Sequence, residues 1–270
     1  MNTEFPSWLD KEEDCKVFLI DNCPVSTDII ERETKYHQLD SQDQRFKLNQ
    51  IKPYRPDIKD LAFLVYMVIH KKKRTILEFG TGFSTLILSE AMQRTFNADE
   101  KEFLKDNRVR DPFSVHSVDN ERKYIGISRK RIPKEFKNFA KFYKSSVDMK
   151  LFSSRITTQY NKLPHINPDL IYIDGPDQFK VKGDINGWST RQSDMLPMSS
   201  DVLLIEPFLL KGTHIIIDGR GANAIFIKNN LQREWKYEYN EESDRHIFEL
   251  HGKSIGRYNS MLNSYQKNNY

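Results

Sequence analysis

From Asp57 onward the apolar positions fall into two rhythms. Ile58, Leu61, Ala62, Leu64, Val65, Val68 and Ile69 recur at helical spacing behind a carboxylate, which predicts a helix starting at Asp57. After the basic stop Lys71-Lys72-Lys73-Arg74, short continuous apolar runs alternate with helical stretches. Thr75–Phe79 predicts a buried strand, followed by a glycine turn and a helix near Phe83–Gln93. Val115–Val118 predicts a second strand with a helix from Glu121, and Ala140–Tyr143 a weaker third. Leu170–Ile173 and His214–Ile217 predict a fourth and a fifth, with helices over 200–210 and 223–233. Lys236–Tyr239 and His246–Leu250, joined by the polar Asn240–Arg245 turn, predict a closing hairpin. Continuous apolar strands are those of parallel sheets buried on both faces, and their alternation with helices covers both faces. The fold class expected is α/β: a doubly wound, mostly parallel sheet with a C-terminal antiparallel hairpin strand.

Three stretches fall outside this rhythm. Residues 1–56 are polar and close on Lys52-Pro53-Tyr54-Arg55-Pro56, whose prolines forbid a continuous helix; they are expected to form an N-terminal extension or cap. Residues 57–251 form the main domain, and 252–270 a polar tail. Residues 94–113, rich in both charge signs, are expected to be a surface excursion.

Composition narrows the function classes. The 42 Lys and Arg against 38 Asp and Glu leave a net charge of only +4, too little for a protein that tracks nucleic-acid phosphates. The run Lys71–Arg74 reads as a cationic helix terminus complementing the dipole, with a membrane or nucleic-acid patch as the other reading. Only Cys15 and Cys23 are present, without metal-like spacing, so free thiols in a reducing compartment are expected. The acidic N-terminus lacks a secretory leader pattern, and no run reaches the length of a membrane helix. A cytoplasmic protein with no nucleic-acid or membrane partner is the expectation.

The candidate chemistry begins at Ile76-Leu77-Glu78-Phe79-Gly80-Thr81-Gly82-Phe83-Ser84-Thr85. A strand runs into two glycines one residue apart and then into a helix, letting the backbone turn tightly and a ligand come close. Alone, this is also the pattern of a plain strand-to-helix turn. Glu78, however, puts a carboxylate at the end of an apolar strand, where it needs a cationic or hydrogen-bonding partner. Asp119, followed by Asn120, ends the second strand, where such an acid accepts hydrogen bonds from ribose hydroxyls. Strands four and five end alike, in Ile173-Asp174-Gly175 and Ile217-Asp218-Gly219, so four acids gather at the carboxyl edge where such sheets bind ligands.

Taken in order, Glu78-Phe79-Gly80-Thr81-Gly82, Ser117-Val118-Asp119, Asp169-Leu170-Ile171-Tyr172-Ile173-Asp174-Gly175 and Lys211-Gly212-Thr213 leading to Ile217-Asp218 resemble the class I S-adenosylmethionine-dependent methyltransferases. The nearer likeness is to their small-molecule and sugar O-methyltransferase branches, over about residues 57–251. The resemblance implies a Rossmann-like sheet of strand order 3-2-1-4-5-7-6 and S-adenosylmethionine as cofactor. It places the methionine part on Gly80, Thr81 and Gly82 with Ser84 beside them, and the ribose on Asp119 and Asn120. The adenine falls on the Ser145-Ser146-Val147-Asp148 stretch, naming Ser146 and Asp148, and Glu78 serves the ammonium end directly or through water. A nicotinamide dehydrogenase stays open as an alternative, although Thr85 stands where its third glycine belongs. So does a non-catalytic protein that kept the cofactor fold.

Removing a proton from a hydroxyl acceptor needs a carboxylate, a histidine or a metal. Asp174 and Asp218 are the best-placed catalytic candidates, with Asp174 also near the cofactor. His246 is a third, at the site end of the antiparallel last strand, while His116, His165 and His214 begin or precede strands and read as structural. In metal-dependent relatives acids at these tips share a divalent cation; Gly219 departs from that paired pattern, so the metal-free version is preferred. The long stretch from Pro176 to Ser199 is the expected acceptor loop, Trp188 stacking and Arg191 pairing with a polar or anionic group. The expected partner is a small-molecule acceptor such as a sugar or glycan precursor; homo-oligomer formation stays open.

Overall fold

A computed structural model of the chain describes residues 5–35, 56–106, 111–192 and 198–256. The proline-containing run before Pro56, Asp194 and the tail after Gly256 lie outside the described residues.

The main sheet has seven strands: β1 (Thr75–Phe79), β2 (Ser114–Asp119), β3 (Ala140–Lys144), β6 (Leu170–Ile173), β8 (His214–Asp218), β9 (Trp235–Asn240) and β10 (Arg245–Leu250). They lie in the order β3-β2-β1-β6-β8-β10-β9. Counting only these strands, that is 3-2-1-4-5-7-6, as expected. The first five run parallel, while β10 runs antiparallel to both β8 and β9. β1, β2 and β6 are buried along their whole length because helices cover both faces.

On one face lie α3 (Ile58–Ile69), α4 (Phe83–Asp106) and α5 (Arg122–Arg131). Asp57 caps α3 by accepting the Lys59 amide at 2.7 Å. Outside α3 pack the helices of the N-terminal stretch, a short 3-10 turn (Ser7–Asp10), α1 (Glu12–Asn22) and α2 (Pro24–Thr34). Their Leu9, Cys15, Leu19, Cys23 and Ile30 enter the same apolar core as Phe63, Leu64, Ile87 and Met92. Each fully buried leucine there stabilises by about 1.5–3 kcal/mol. Both cysteines are free thiols buried in this packing. The opposite face carries α6 (Asp201–Ile205) and α7 (Gly221–Lys228), whose Val202, Leu203, Ala224 and Ile227 pack with Leu77, Ile171 and Ile215.

Three local expectations differ from what forms. Residues 94–106 are not an excursion but the second half of α4. No glycine or proline interrupts them, Phe96 packs edge-on against Phe113 and Phe139, and Asp99 pairs with Arg74 at 2.7 Å. The helix expected over 200–210 stops as a 3-10 turn (Glu206–Phe208), because Pro207 has no amide to donate. A small second sheet also appears between β3 and β8, made of β4 (Val147–Phe152), β5 (Arg155–Tyr160) and β7 (Val181–Lys182) in the order β5-β4-β7. Its hairpin turns on Ser153 and Ser154, both at positive φ, in place of the asparagine–glycine pair that usually marks such a turn.

Candidate functional site

At β1 the strand order reverses: the chain first builds outward through β2 and β3, then returns to build β6 and β8 on the other side. Ligands in open α/β sheets bind at such a reversal, outside the carboxyl ends of the strands. Here Gly80 turns at a φ of +99°, and the β1 and β6 tips meet backbone to backbone. A Cβ on Gly175 would stand 2.8 Å from the Gly80 nitrogen, so neither loop tolerates a side chain at the contact. Gly82 is different: a Cβ there would find only Ser84 Oγ, 3.9 Å away, leaving an approachable stretch of bare backbone at the start of α4.

Glu78 lies fully buried beneath this loop. Ser84 Oγ and Thr85 Oγ1 each donate to one of its oxygens at 2.5 Å, and Thr85 Oγ1 also takes the Gly82 amide at 3.2 Å. Burial pushes the Glu78 carboxyl up to about 7, against the hydroxyl bonds that pull it down. Glu78 braces the glycine loop on the first turn of α4.

Asp119, at the tip of β2, accepts the Thr81 amide at 3.1 Å and the Glu121 amide at 2.6 Å. Each oxygen keeps a lone pair for a ligand hydroxyl. Burial raises this carboxyl to about 6. Asn120 beside it donates to the Lys180 carbonyl at 3.2 Å. Asn161 ties the next stretch together, donating to Ser146 Oγ at 2.8 Å and Asp148 Oδ2 at 2.9 Å. Ser146 and Asp148 are both half-buried and lie beside β2, at the junction of the two sheets.

On the face that packs α3, the tips of β6 and β8 hold a second group. Tyr172 points its hydroxyl at Asp218 Oδ2, 3.5 Å away. Asp174 is exposed at the β6 tip; the protein packed around its carboxyl raises its pKa while Arg220 opposes the shift. Asp218, half-buried, is pushed up to about 8 by burial and then by the charges of Asp60 and Asp174. Asp60 comes from the first turn of α3, and Arg245 of β10 donates to its Oδ1 from Nε at 2.9 Å and Nη2 at 2.6 Å. Arg220 bridges the two tips, donating to the carbonyls of Asp174 at 2.7 Å and Pro176 at 3.2 Å.

Asp60, Tyr172, Arg220 and Arg245 were not among the residues expected from sequence. A carboxylate inside the apolar stretch Ile58–Ile69 was the one available signal, and it reads equally as first-turn helix chemistry.

The structure does not bring His246 to Asp174 and Asp218. Successive residues of a strand face opposite ways, and Arg245 is the one that faces Asp60. His246 therefore lies on the α7 face, bonded to Tyr237 at 3.0 Å and stacked on Tyr239 at 4.4 Å, where burial lowers its pKa. His116 is buried within β2 between Ser114 and Tyr143, and His214 begins β8 bonded to the Gly212 carbonyl. Among the described residues no group of three or more His, Cys, Asp or Glu side chains is arranged to hold a metal ion.

The stretch after Gly175 was expected over strands four and five. Its first part runs the other way: β7 pairs with β4, and Asn120 holds Lys180, so residues 178–182 lie beside the β2 tip. It then doubles back through the Ile185–Trp188 bridge, and Thr190 Oγ1 donates to the Gln178 carbonyl at 2.9 Å. Trp188 is 56% exposed, so it is no core anchor, and Arg191 donates to Ser189 Oγ and to the Gly183 carbonyl.

The strand order, the helices on both faces and the antiparallel hairpin define a Rossmann-like α/β fold. Among solved structures the chain is similar to the SAH-bound methyltransferase PaMTH1 of Podospora anserina, with 13% identity, a TM-score of 0.45, and coverage of 93% of this chain and 99% of that one. No protein-family model matches the chain. No curated protein matches it.

Proposed function

We propose that this protein is an S-adenosylmethionine-dependent methyltransferase acting on a hydroxyl of a small or glycosidic acceptor. The observation that carries the reading is the sign of charge at the carboxyl edge. Asp119 at the β2 tip, bonded to the Thr81 amide, and Asp174 at the exposed β6 tip flank the glycine loop, with Arg220 as the neighbouring cation. A dinucleotide would bring its doubly anionic pyrophosphate to the start of α4, into those carboxylates. A ligand carrying ammonium and sulfonium charges suits them. The antiparallel strand β10, absent from the 3-2-1-4-5-6 dinucleotide sheet, supports the same choice.

The residues present fit that cofactor. Gly82 leaves room for close approach, Asp119 keeps lone pairs that ribose hydroxyls would use, and Ser146 and Asp148, tied together by Asn161, would take the adenine end. Once bound, S-adenosylmethionine supplies an electrophilic methyl group. The chain's part is then to hold the acceptor in line, which is where most of the rate of such a displacement comes from. Asp174 and Asp218 would take its hydroxyl proton, and the half of the loop around Trp188 and Arg191 would orient it. The reaction so drawn needs no divalent cation.

S-adenosylmethionine or S-adenosylhomocysteine should raise the melting temperature by mass action, and NAD and NADP should not. Labelled S-adenosylmethionine with fractionated metabolites, with and without chelator, should then give label transfer in both. Nicotinamide binding with no response to either sulfur nucleoside would overturn the reading.

A further inference from the structure

His246 leaves one ring nitrogen unanswered. The residue is 4% exposed, and Nδ1 meets the Tyr237 hydroxyl at 3.0 Å, while buried Nε2 has no hydrogen-bond partner among the described residues. A buried polar atom in that position costs free energy until something meets it. Nε2 is aimed at Gly221, the first residue of α7: a Cβ built on that glycine would stand 3.5 Å from it. Gly221 brings no side chain to the gap. The Ala224 amide is the first to find its acceptor one turn back, at the Arg220 carbonyl. The amides of Gly221, Ala222 and Asn223 come before it and have no acceptor within the helix. This start of α7 reaches the surface, with Gly219 exposed and Arg220, Gly221 and Ala222 half-buried.

We infer that His246 Nε2 and the start of α7 together bind an anionic oxygen group, a carboxylate or a phosphate, carried by the substrate of the methyl transfer proposed above; that role rests on the methyltransferase reading. Tyr237 donates to Nδ1, which puts the ring hydrogen on Nε2. Burial lowers the His246 pKa, so the ring meets the ligand neutral. The Nε2 hydrogen and the first-turn amides are then all donors, with the positive end of the helix dipole behind them. A hydrogen-bond-accepting group answers them, and a negatively charged one gains most from the dipole. Arg220 and Lys228, the latter over the Tyr237 ring at 4.0 Å, add positive charge to the same helix. Asp244 beside Gly219 opposes them, with one oxygen taken by the Tyr239 hydroxyl at 2.9 Å. α7 covers the face of the sheet opposite α4, so the anionic group stays clear of the glycine loop. Gly221 also follows closely on Asp218 in the chain, so an anchor there would hold the substrate hydroxyl toward the tips of β6 and β8. A His246 that only packed strand against helix would be indifferent to anions.

Nitrogen-15 labelling of the histidines of the full chain reads this directly at neutral pH, with His246→Gln identifying the His246 signals. The expected result is a neutral ring with its hydrogen on Nε2, whose signals move saturably with inorganic phosphate or acetate and not with sodium chloride at equal ionic strength. The stronger of the two anions names the group the substrate carries. Gly221→Ala fills the gap with a methyl in ordinary contact with Nε2 and should weaken the response at least about tenfold. If that variant does not fold, Tyr237→Phe on the edge strand β9 releases Nδ1 and should weaken it likewise. A bare Nε2, a response no different from that to chloride, or an undiminished response in the folded variant overturns the inference. Calorimetry of S-adenosylhomocysteine on the same sample separates the two readings. Binding without an anion response sinks the anion site alone. An anion response without binding keeps the site and overturns its role in methyl transfer.

Discussion

Asp119 does two things at once: it ties the amides of Thr81 and Glu121 together and still has lone pairs to offer. Asp119→Ala should therefore weaken S-adenosylhomocysteine binding by about 1–3 kcal/mol, the cost of leaving polar partners unpaired. Asp119→Asn keeps one acceptor oxygen and should lose less. Calorimetric titration checks both; an unchanged dissociation constant in a folded Asp119→Ala would reduce the residue to a loop brace. Glu78 shows the opposite outcome at the same scale. The expectation that its carboxylate needed partners holds, but the partners are Ser84 and Thr85, within its own loop and helix.

At the scale of elements, residues 178–192 are the segment whose place and reach differ most. Its start is fastened to the cofactor side through β7 and Asn120, while its bridge around Trp188 stands in solvent. The two halves should separate on mutation. Asn120→Ala, which removes one hydrogen bond, should weaken cofactor binding by about 0.5–1.5 kcal/mol. Trp188→Ala should leave stability within about 0.5 kcal/mol and cofactor affinity within about twofold, and raise the acceptor KM or lower kcat. A Trp188→Ala protein that loses cofactor affinity would assign the whole segment to the cofactor pocket. Thermal melts alongside binding titrations distinguish these results.

For the molecule as a whole, buried carboxyls leave a signature in stability against pH. Glu78 near 7, Asp119 near 6, Asp201 near 7 and Asp218 near 8 all lie above the unfolded aspartate and glutamate values of about 4. Between about pH 4 and those values the folded chain holds more protons than the unfolded chain, so stability falls as pH rises. These groups make the ligand-free protein most stable on the acid side and take that stability away through about pH 6–8. The melting temperature should drop from pH 5 to pH 8.5, and Asp218→Asn should flatten part of the drop. A melting temperature that climbs across that range would mean these groups are ionised and paired in the fold.

The succession of strands and helices was legible because it rests on local pattern: Thr75–Phe79 or Leu170–Ile173 can bury both faces only inside a covered parallel sheet. The glycine loop and the acids at the tips of β2, β6 and β8 were legible for the same reason, since each follows its strand by one residue or ends it. Which face each of those residues takes, and what meets it there, was not. His246 and Asp218 share an edge of the sheet, but alternation along β10 turns the histidine to α7 and the arginine before it to Asp60. The small sheet escaped notice because its turn uses two serines, and its third strand is only two residues long. Asp60 and Arg245 are 185 positions apart, and nothing in either neighbourhood names the other. Only the packing of α3 across β10 buries the two charges together, and burial is what makes each require its partner.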